Sequence, residues 1–382
     1  MRRLSAHLLL TPGGLLPDRV VTLSDEGEVV DVSITTGLDR EAGVEFFSGI
    51  LVPGFFNAHC HLELSGLRGT IAPGGGFTAF ARGMREARRR EERGVKSEEF
   101  WDAKMWAEGV SAVGDICNGN ATFGLKRASR VKYHNFCELF GLGAEPSRAV
   151  ALRDEALAAG LAASVTPHST YSLSRAAFTE VLDFHSWRSH PPLGRTAVCF
   201  ASREPLSIHF LESEDETDLY KKRGPMWDWY VEQWLRPDFL DYGSPAERLV
   251  AQVPPDRPVM LVHNCVATQR DIDIVMGHFT APVTWVVCPG SNRYIGNPAP
   301  PIDLLRKNNL RIAVGTDSLA SNDTLSMVHE LSLIEGVPLA ELLGWATLGS
   351  IEPHSSTGLV LLTGVDMQTL TLTESTKARR II

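Results

Sequence analysis

The chain has 382 residues, 43% of them hydrophobic and 22% charged, which is enough apolar side chain for a packed core and excludes a disordered chain. Its length suits one large domain with a smaller companion. The net charge of -9 argues against a broad nucleic-acid surface and for a small-molecule substrate, and no apolar run reaches the roughly 18 residues of a membrane helix.

The first ten residues, MRRLSAHLLL, place two arginines before three leucines. The apolar run is too short for a signal peptide and Pro12 follows it, so it reads as a first strand. Arg19–Leu23 and Val29–Ile34 are further strand-like runs, and residues 1–50 are expected to form the first part of a small β domain. From residue 51 the rhythm changes. Apolar runs at Ile50–Cys60, Ser111–Cys117, Val131–Phe140, Leu161–Pro167, Leu206–Leu211, Val259–Val262, Val283–Cys288 and Arg311–Gly315 alternate with helical stretches. Near-continuous apolar runs suit parallel strands buried on both faces. Eight of them predict an α/β fold, a (β/α)8 TIM-type barrel over residues 51–355. Val360–Ile382 alternates apolar and polar residues in places. Residues 356–382 are expected to rejoin the N-terminal strands and complete a small β-sandwich-like domain.

Among the intervening stretches, Phe77–Glu92 reads as a helix whose Arg88, Arg89 and Arg90 lie beside Glu86, Glu91 and Glu92, a solvated face rather than a basic patch. Met226–Leu240 is rich in aromatics and reads as a buried helix or lid packing. The cysteines, Cys60, Cys117, Cys137, Cys199, Cys265 and Cys288, include no C-x-x-C pair. Most sit in apolar runs as small hydrophobes, which points to the reducing cytoplasm.

Active sites of such barrels lie at the C-terminal strand ends. The first run ends in His59-Cys60-His61. Residues two apart on a strand share a side, so both imidazoles can reach one metal. The fourth run ends in His168, the fifth in His209 with Glu212 beyond it, the sixth in His263, the seventh near Asn292, and the eighth in Gly315-Thr316-Asp317. Any one of these histidines alone could be a hydrogen-bonded core residue. Five at the ends of four strands, together with Asp317, are hard to explain as packing.

These pieces, PGFFNAHCHLELS (53–65), TPHSTYSLS (166–174), IHFLESEDE (208–216), LVHNC (261–265), CPGSN (288–292) and GTDSLASND (315–323), resemble the amidohydrolase superfamily. Within it they resemble the cytosine-deaminase-like branch, which holds S-adenosylhomocysteine, methylthioadenosine, aminodeoxyfutalosine and guanine deaminases and the triazine chlorohydrolases. The resemblance implies a hydrolytic deaminase of an amino-substituted heterocycle, an adenine-containing nucleoside being the favoured type, with ammonia as a product. It implies one divalent metal, zinc first, with iron(II) or manganese tolerated, held by His59, His61, His209 and Asp317. Asp317 would also take the proton of the attacking water, His263 would polarise developing charge, and Glu212 would carry a proton to the ring and the leaving amine. His168, Tyr171, Glu63 and Asn292 would contact substrate, and relatives of this kind are often homodimers.

Three rival readings remain at this point. A two-metal hydrolase would need a bridging lysine at the fourth strand, where His168 stands instead. A chlorohydrolase would use the same machinery, although chloride leaves without a proton and gives Glu212 less to do. A non-catalytic scaffold should have lost ligands, and this chain keeps all of them.

Overall fold

The computed structural model describes residues 1–35, 42–90, 96–183, 204–347, 349–353 and 358–382. The chain opens with five strands, β1 (Arg2–Thr11), β2 (Gly14–Leu16), β3 (Arg19–Leu23), β4 (Val29–Ile34) and β5 (Val44–Pro53). Next come β6 (Phe55–Cys60), β7 (Val110–Cys117), β8 (Lys132–Leu139) and β9 (Ala162–Pro167). A second parallel set follows: β10 (Leu206–Phe210), β11 (Val259–His263), β12 (Val283–Val287) and β13 (Arg311–Val314). The chain ends in β14 (Leu359–Thr363) and β15 (Lys377–Arg380).

The eight strands from β6 to β13 are the barrel expected from the apolar runs, in two parallel four-stranded arcs, β6-β7-β8-β9 and β10-β11-β12-β13. Every residue of β10, β11 and β12 is buried, as strands covered on both faces must be. Main-chain bridges join the arcs at Ser169–His209 and Cys60–Asp317, both at the C-terminal end where the site lies. Ala58, Ile116, Phe136, Met260, Val262, Val286, Cys288 and Ala313 pack together as the barrel's filling. A larger apolar layer joins the strands to the surrounding helices. Gln269–His278 shows why such a helix forms: Thr268 and Asp271 make a reciprocal capping box and Ile272 and Val275 face inward.

The sequence run Ile50–Cys60 is two strands rather than one. Its first part ends β5 in another sheet, and the chain changes sheets at Pro53-Gly54. Gly54 N–H is donated to the Gly358 carbonyl and Phe55 N–H to the Gly109 carbonyl at the foot of β7. A proline has no N–H to continue the ladder, and apolar continuity hides the break. The other sheet has seven strands in the order β15-β14-β5-β1-β3-β4, with β2 beside β1. The C-terminal stretch returns as β14 antiparallel to β5. Leu4, Leu9, Val21, Leu51, Ile351 and Leu361 form part of this sheet's own core.

The helix expected at Phe77–Glu92 is observed as Phe77–Arg90; Glu91 and Glu92, like Cys199, lie outside the described residues. The aromatic stretch after Met226 forms the helix Gly224–Glu232, with Met226 and Tyr230 buried. Tyr230 donates its hydroxyl to the Tyr171 carbonyl at 2.8 Å, so these aromatics brace a loop of the barrel mouth. Cys60, Cys117, Cys137, Cys265 and Cys288 are buried free thiols. No described helix is long and apolar enough to cross a membrane.

Candidate metal centre and its surroundings

His59 and His61 project from β6 and the residue after it, and their Nε2 atoms stand 3.2 Å apart. Asp317 Oδ1 lies 3.7 Å from the first and 3.4 Å from the second. The His209 ring lies 4.9 Å from the His59 ring centre and 5.6 Å from that of His61; donor atoms of His59, His61 and Asp317 lie within 4.8 Å of one another, as do those of His59, His209 and His263. His209 Nδ1 is 3.0 Å from the His168 carbonyl, to which it donates, so its lone pair is left on Nε2. Burial, followed by the neighbouring imidazole of His59, lowers the pKa of His61 and His209, so these rings are neutral near pH 7. Burial opposes ionisation of Asp317. Its interactions with His59, His61 and His263 nevertheless hold it well below the ordinary carboxylate range. Ring nitrogens of His59, His61 and His209 and a carboxylate oxygen of Asp317 thus crowd a small buried region. Such donors repel one another unless a cation lies between them, and three nitrogens with one oxygen suit a divalent ion with one position open.

The backbone is bent to build this point. Gly315 sits so close to β6 that a Cβ there would lie 2.8 Å from both Cβ and N of His59. Only glycine allows the last strand to press on the first. Thr316 and Asp317 then both donate N–H to the His59 carbonyl at 3.0 Å. Asp317 has φ 57°, and Leu211, His263 and Asn264 are also left-handed, a clustering of strain at the strand ends that suits a functional site. Ser291 and Ser321 hydroxyls donate to Asp317 Oδ2 at 2.6 and 2.9 Å, which leaves Oδ1 for the histidines.

Glu212 arches over the mouth after the turn at Leu211, and its Oε1 lies 3.7 Å from His263 Nε2. Burial raises its pKa well above the ordinary value, the charges of Asp317 and Glu216 add to the rise, and a hydrogen bond from Tyr171 opposes it. Burial lowers that of His263 to about 3. His263 Nδ1 is 3.0 Å from Asn292 Oδ1. In this orientation the neutral ring donates from Nδ1 and presents a lone pair at Nε2. Turning the Asn292 amide over, whose Nδ2 has no partner among the described residues, would instead leave a proton on Nε2.

The expected substrate residues divide in two. His168 and Tyr171 face the mouth: the His168 ring stacks on His209 at 4.5 Å and meets Tyr171 edge-on at 5.7 Å. Glu63 spends both carboxylate oxygens on the backbone N–H groups of Asn118 and Gly119, and Asn292 is turned to His263. In this geometry both shape the site from behind.

Other residues that shape it escaped the sequence reading. Fully buried Lys126 pairs with Asp115 Oδ2 at 2.5 Å, and Asp115 Oδ1 accepts the N–H of Leu62, the residue after His61. Removing one partner of such a buried pair costs about 3–5 kcal/mol, so this pair is a firm anchor for the loop behind His61. Arg248 donates to the Thr170 and Leu173 carbonyls at 2.8 and 2.9 Å and fixes the loop that carries His168 and Tyr171. Glu216, one helical turn past Glu212, was a detectable signal within the acidic run LESEDE.

Glu216 Oε2 accepts the Glu212 N–H at 3.0 Å and Oε1 the Thr170 hydroxyl at 2.5 Å. Burial pushes its pKa up from 4.5 to about 7. Between these values the folded protein keeps a proton that the unfolded chain has released, so stability falls as pH rises through that window. Glu216→Gln should therefore flatten the dependence of Tm on pH over the window. Calorimetry of both proteins checks this; parallel curves would contradict it.

Comparison with known proteins bears on the family and the fold. Residues 139–355 match the model of the amidohydrolase family. An adenosine deaminase of Helicobacter pylori is 24% identical over 374 residues, covering 92% of this chain and 86% of the relative. The solved aminofutalosine deaminase of the same species, in complex with methylthio-coformycin, superimposes with a TM-score of 0.78 at 23% identity over 95% of this chain and 92% of that one. The solved adenosine deaminase of Xanthomonas campestris with bound zinc gives 0.70 at 19% identity over 94% of this chain and 84% of that one. With more than half of its length matched by the family model, and with the barrel that such enzymes share, this chain belongs to the amidohydrolase family.

Proposed function

We propose that this protein is a metal-dependent deaminase that hydrolyses the exocyclic amine of an adenine-type nucleoside to a keto group and ammonia. The observation that carries the reading is Glu212, a buried carboxyl with a raised pKa beside the two overlapping triads His59–His61–Asp317 and His59–His209–His263. A divalent ion on those four residues, zinc in the first instance, would supply Lewis acidity that brings the pKa of water toward neutrality.

The remaining chemistry belongs to the side chains. Asp317 stays ionised and can accept the proton of the attacking water at Oδ1. Glu212, whose pKa burial raises, can give a proton to a ring nitrogen, take up another, and pass it to the departing amine. A leaving amine needs that proton and chloride does not, which favours deamination over dechlorination. His263 borders the same point, and with the Asn292 amide turned so that Nδ2 donates to His263 Nδ1, the proton left on Nε2 can stabilise charge on the oxygen being added. His168 and Tyr171 are assigned to the substrate ring or ribose. Beside them a cleft of about 620 Å³ begins at Ser213 and Phe77, a size that suits a small molecule. The relatives named as adenosine and aminofutalosine deaminases support the adenine-nucleoside class.

The test is ammonia release by zinc-loaded protein from adenosine, 5′-substituted adenosines, guanine and cytosine. Turnover is expected with the adenine nucleosides. Release only from guanine or cytosine would move the substrate class, and release of chloride from a chlorotriazine without any ammonia would move the reaction.

A further inference from the structure

Glu138, near the end of β8, has no task in the chemistry above. It is 7% exposed. Its Oε2 accepts from Asn118 Nδ2 at 2.9 Å, whereas Oε1 is buried without a hydrogen-bond partner among the described residues. A carboxylate oxygen in that position is costly unless a positive group compensates it. The group it faces is His209, whose Nδ1 is 3.8 Å from Oε1. That nitrogen already donates its proton to the His168 carbonyl at 3.0 Å, so Oε1 lies against the N–H edge without taking over the hydrogen bond.

We propose that Glu138 is a positioning residue for His209, a buried negative charge that strengthens the Nε2 lone pair toward a divalent cation. The inference rests on the metal reading above. A cation at Nε2 draws electron density from the ring and makes its N–H edge more positive. A carboxylate beside that edge, in a poorly screened interior, stabilises this polarisation. Without a cation the same oxygen is only a liability. Glu138 thus favours the metal-loaded protein over the metal-free one.

Glu138, His168 and His209 also offer donor atoms within 4.8 Å of one another, a grouping with the outline of a second cation site. Its third ligand would have to be His209 Nδ1, which has no lone pair to give while its proton is on the His168 carbonyl. The geometry points to support of one ion rather than to a second.

The experiment strips the protein of metal and titrates zinc against a competing chelator for the parent, E138Q and E138D, with melting of the metal-free and loaded forms. Zinc Kd should rise about 10- to 100-fold in E138Q, while the metal-free E138Q melts no lower than the metal-free parent. E138D, which keeps the charge, should bind zinc more tightly than E138Q. An unchanged Kd, or an equal loss of Tm in the metal-free and loaded forms, would make Glu138 a packing residue only. A fall from two bound ions to one would make it a ligand. A parent that holds no zinc would overturn the metal reading itself, and this inference with it, an outcome seen before any variant is compared.

Discussion

Glu212→Gln should fold, keep its metal, and lose about 100- to 10,000-fold in turnover, toward the upper end because the same carboxyl handles a proton twice in each cycle. Glutamine has nearly the same shape. The Glu212 N–H would still bond to Glu216 Oε2, so the arch over the mouth is kept. What disappears is the exchangeable proton. Burial and the nearby Asp317 raise the pKa of Glu212, which favours its holding a proton, and an amide in the same place can donate a hydrogen bond but cannot transfer it. Because Glu212 lies beyond the strand end and 3.7 Å from His263 Nε2, outside the four residues proposed to hold the metal, its loss should leave bound metal unchanged. Substrate binding should change much less than turnover, since the group acts mainly in the transition state. Turnover, KM and metal content measured on one preparation decide the matter. Activity within tenfold of the parent, or loss of the metal, would remove Glu212 from the proton-carrying role.

The contrast between what the sequence revealed and what it hid has a physical cause. Strands buried on both faces leave uninterrupted apolar runs, so β10, β11 and β12 were legible. Residues at their C-terminal ends follow from topology, which brought His59, His209, His263 and Asp317 together on paper. Side-chain direction within a loop is not written in such runs. Glu63 follows the metal pair and was expected to face substrate, yet two backbone N–H groups 55 and 56 residues away claim it. Asn292 was expected to touch substrate; its Oδ1 faces His263 Nδ1, while its Nδ2 has no partner among the described residues. Nothing local forecast the partner of Lys126, because its pairing with Asp115 forms only once β7 and the helix Phe123–Ala128 are folded. Glu138 sits at a strand end, where the same topological rule could have marked it. A search centred on histidines passed over it, as carboxylates are usually solvated.

His209→Ala should lose both tight metal binding and nearly all activity, a larger effect than that of Glu212→Gln. Zinc-loaded parent protein is expected to hold close to one tightly bound ion per chain, because His59, His61, His209 and Asp317 are proposed to share a single ion. Two ions with a carboxylated lysine would contradict this; Lys126, the fully buried lysine nearest β7, is already committed to Asp115. Removing His209 takes away the donor whose ring is locked by the His168 carbonyl. The remaining donors, two imidazoles and one carboxylate, come from β6 and the turn after β13, so the ion would be held from one side of the barrel only. The fold should survive, because the main-chain bridge Ser169–His209 does not need the imidazole and alanine suits a buried strand. His168→Ala is the matched control. It removes a ring that stacks on His209 but leaves the carbonyl that orients it, so metal should stay while turnover or substrate binding weakens. Elemental analysis, circular dichroism and turnover on the three proteins separate these outcomes. A His209→Ala protein that keeps one tight zinc, or a His168→Ala protein that loses it, would mean that the ligand from this side of the barrel has been assigned to the wrong strand.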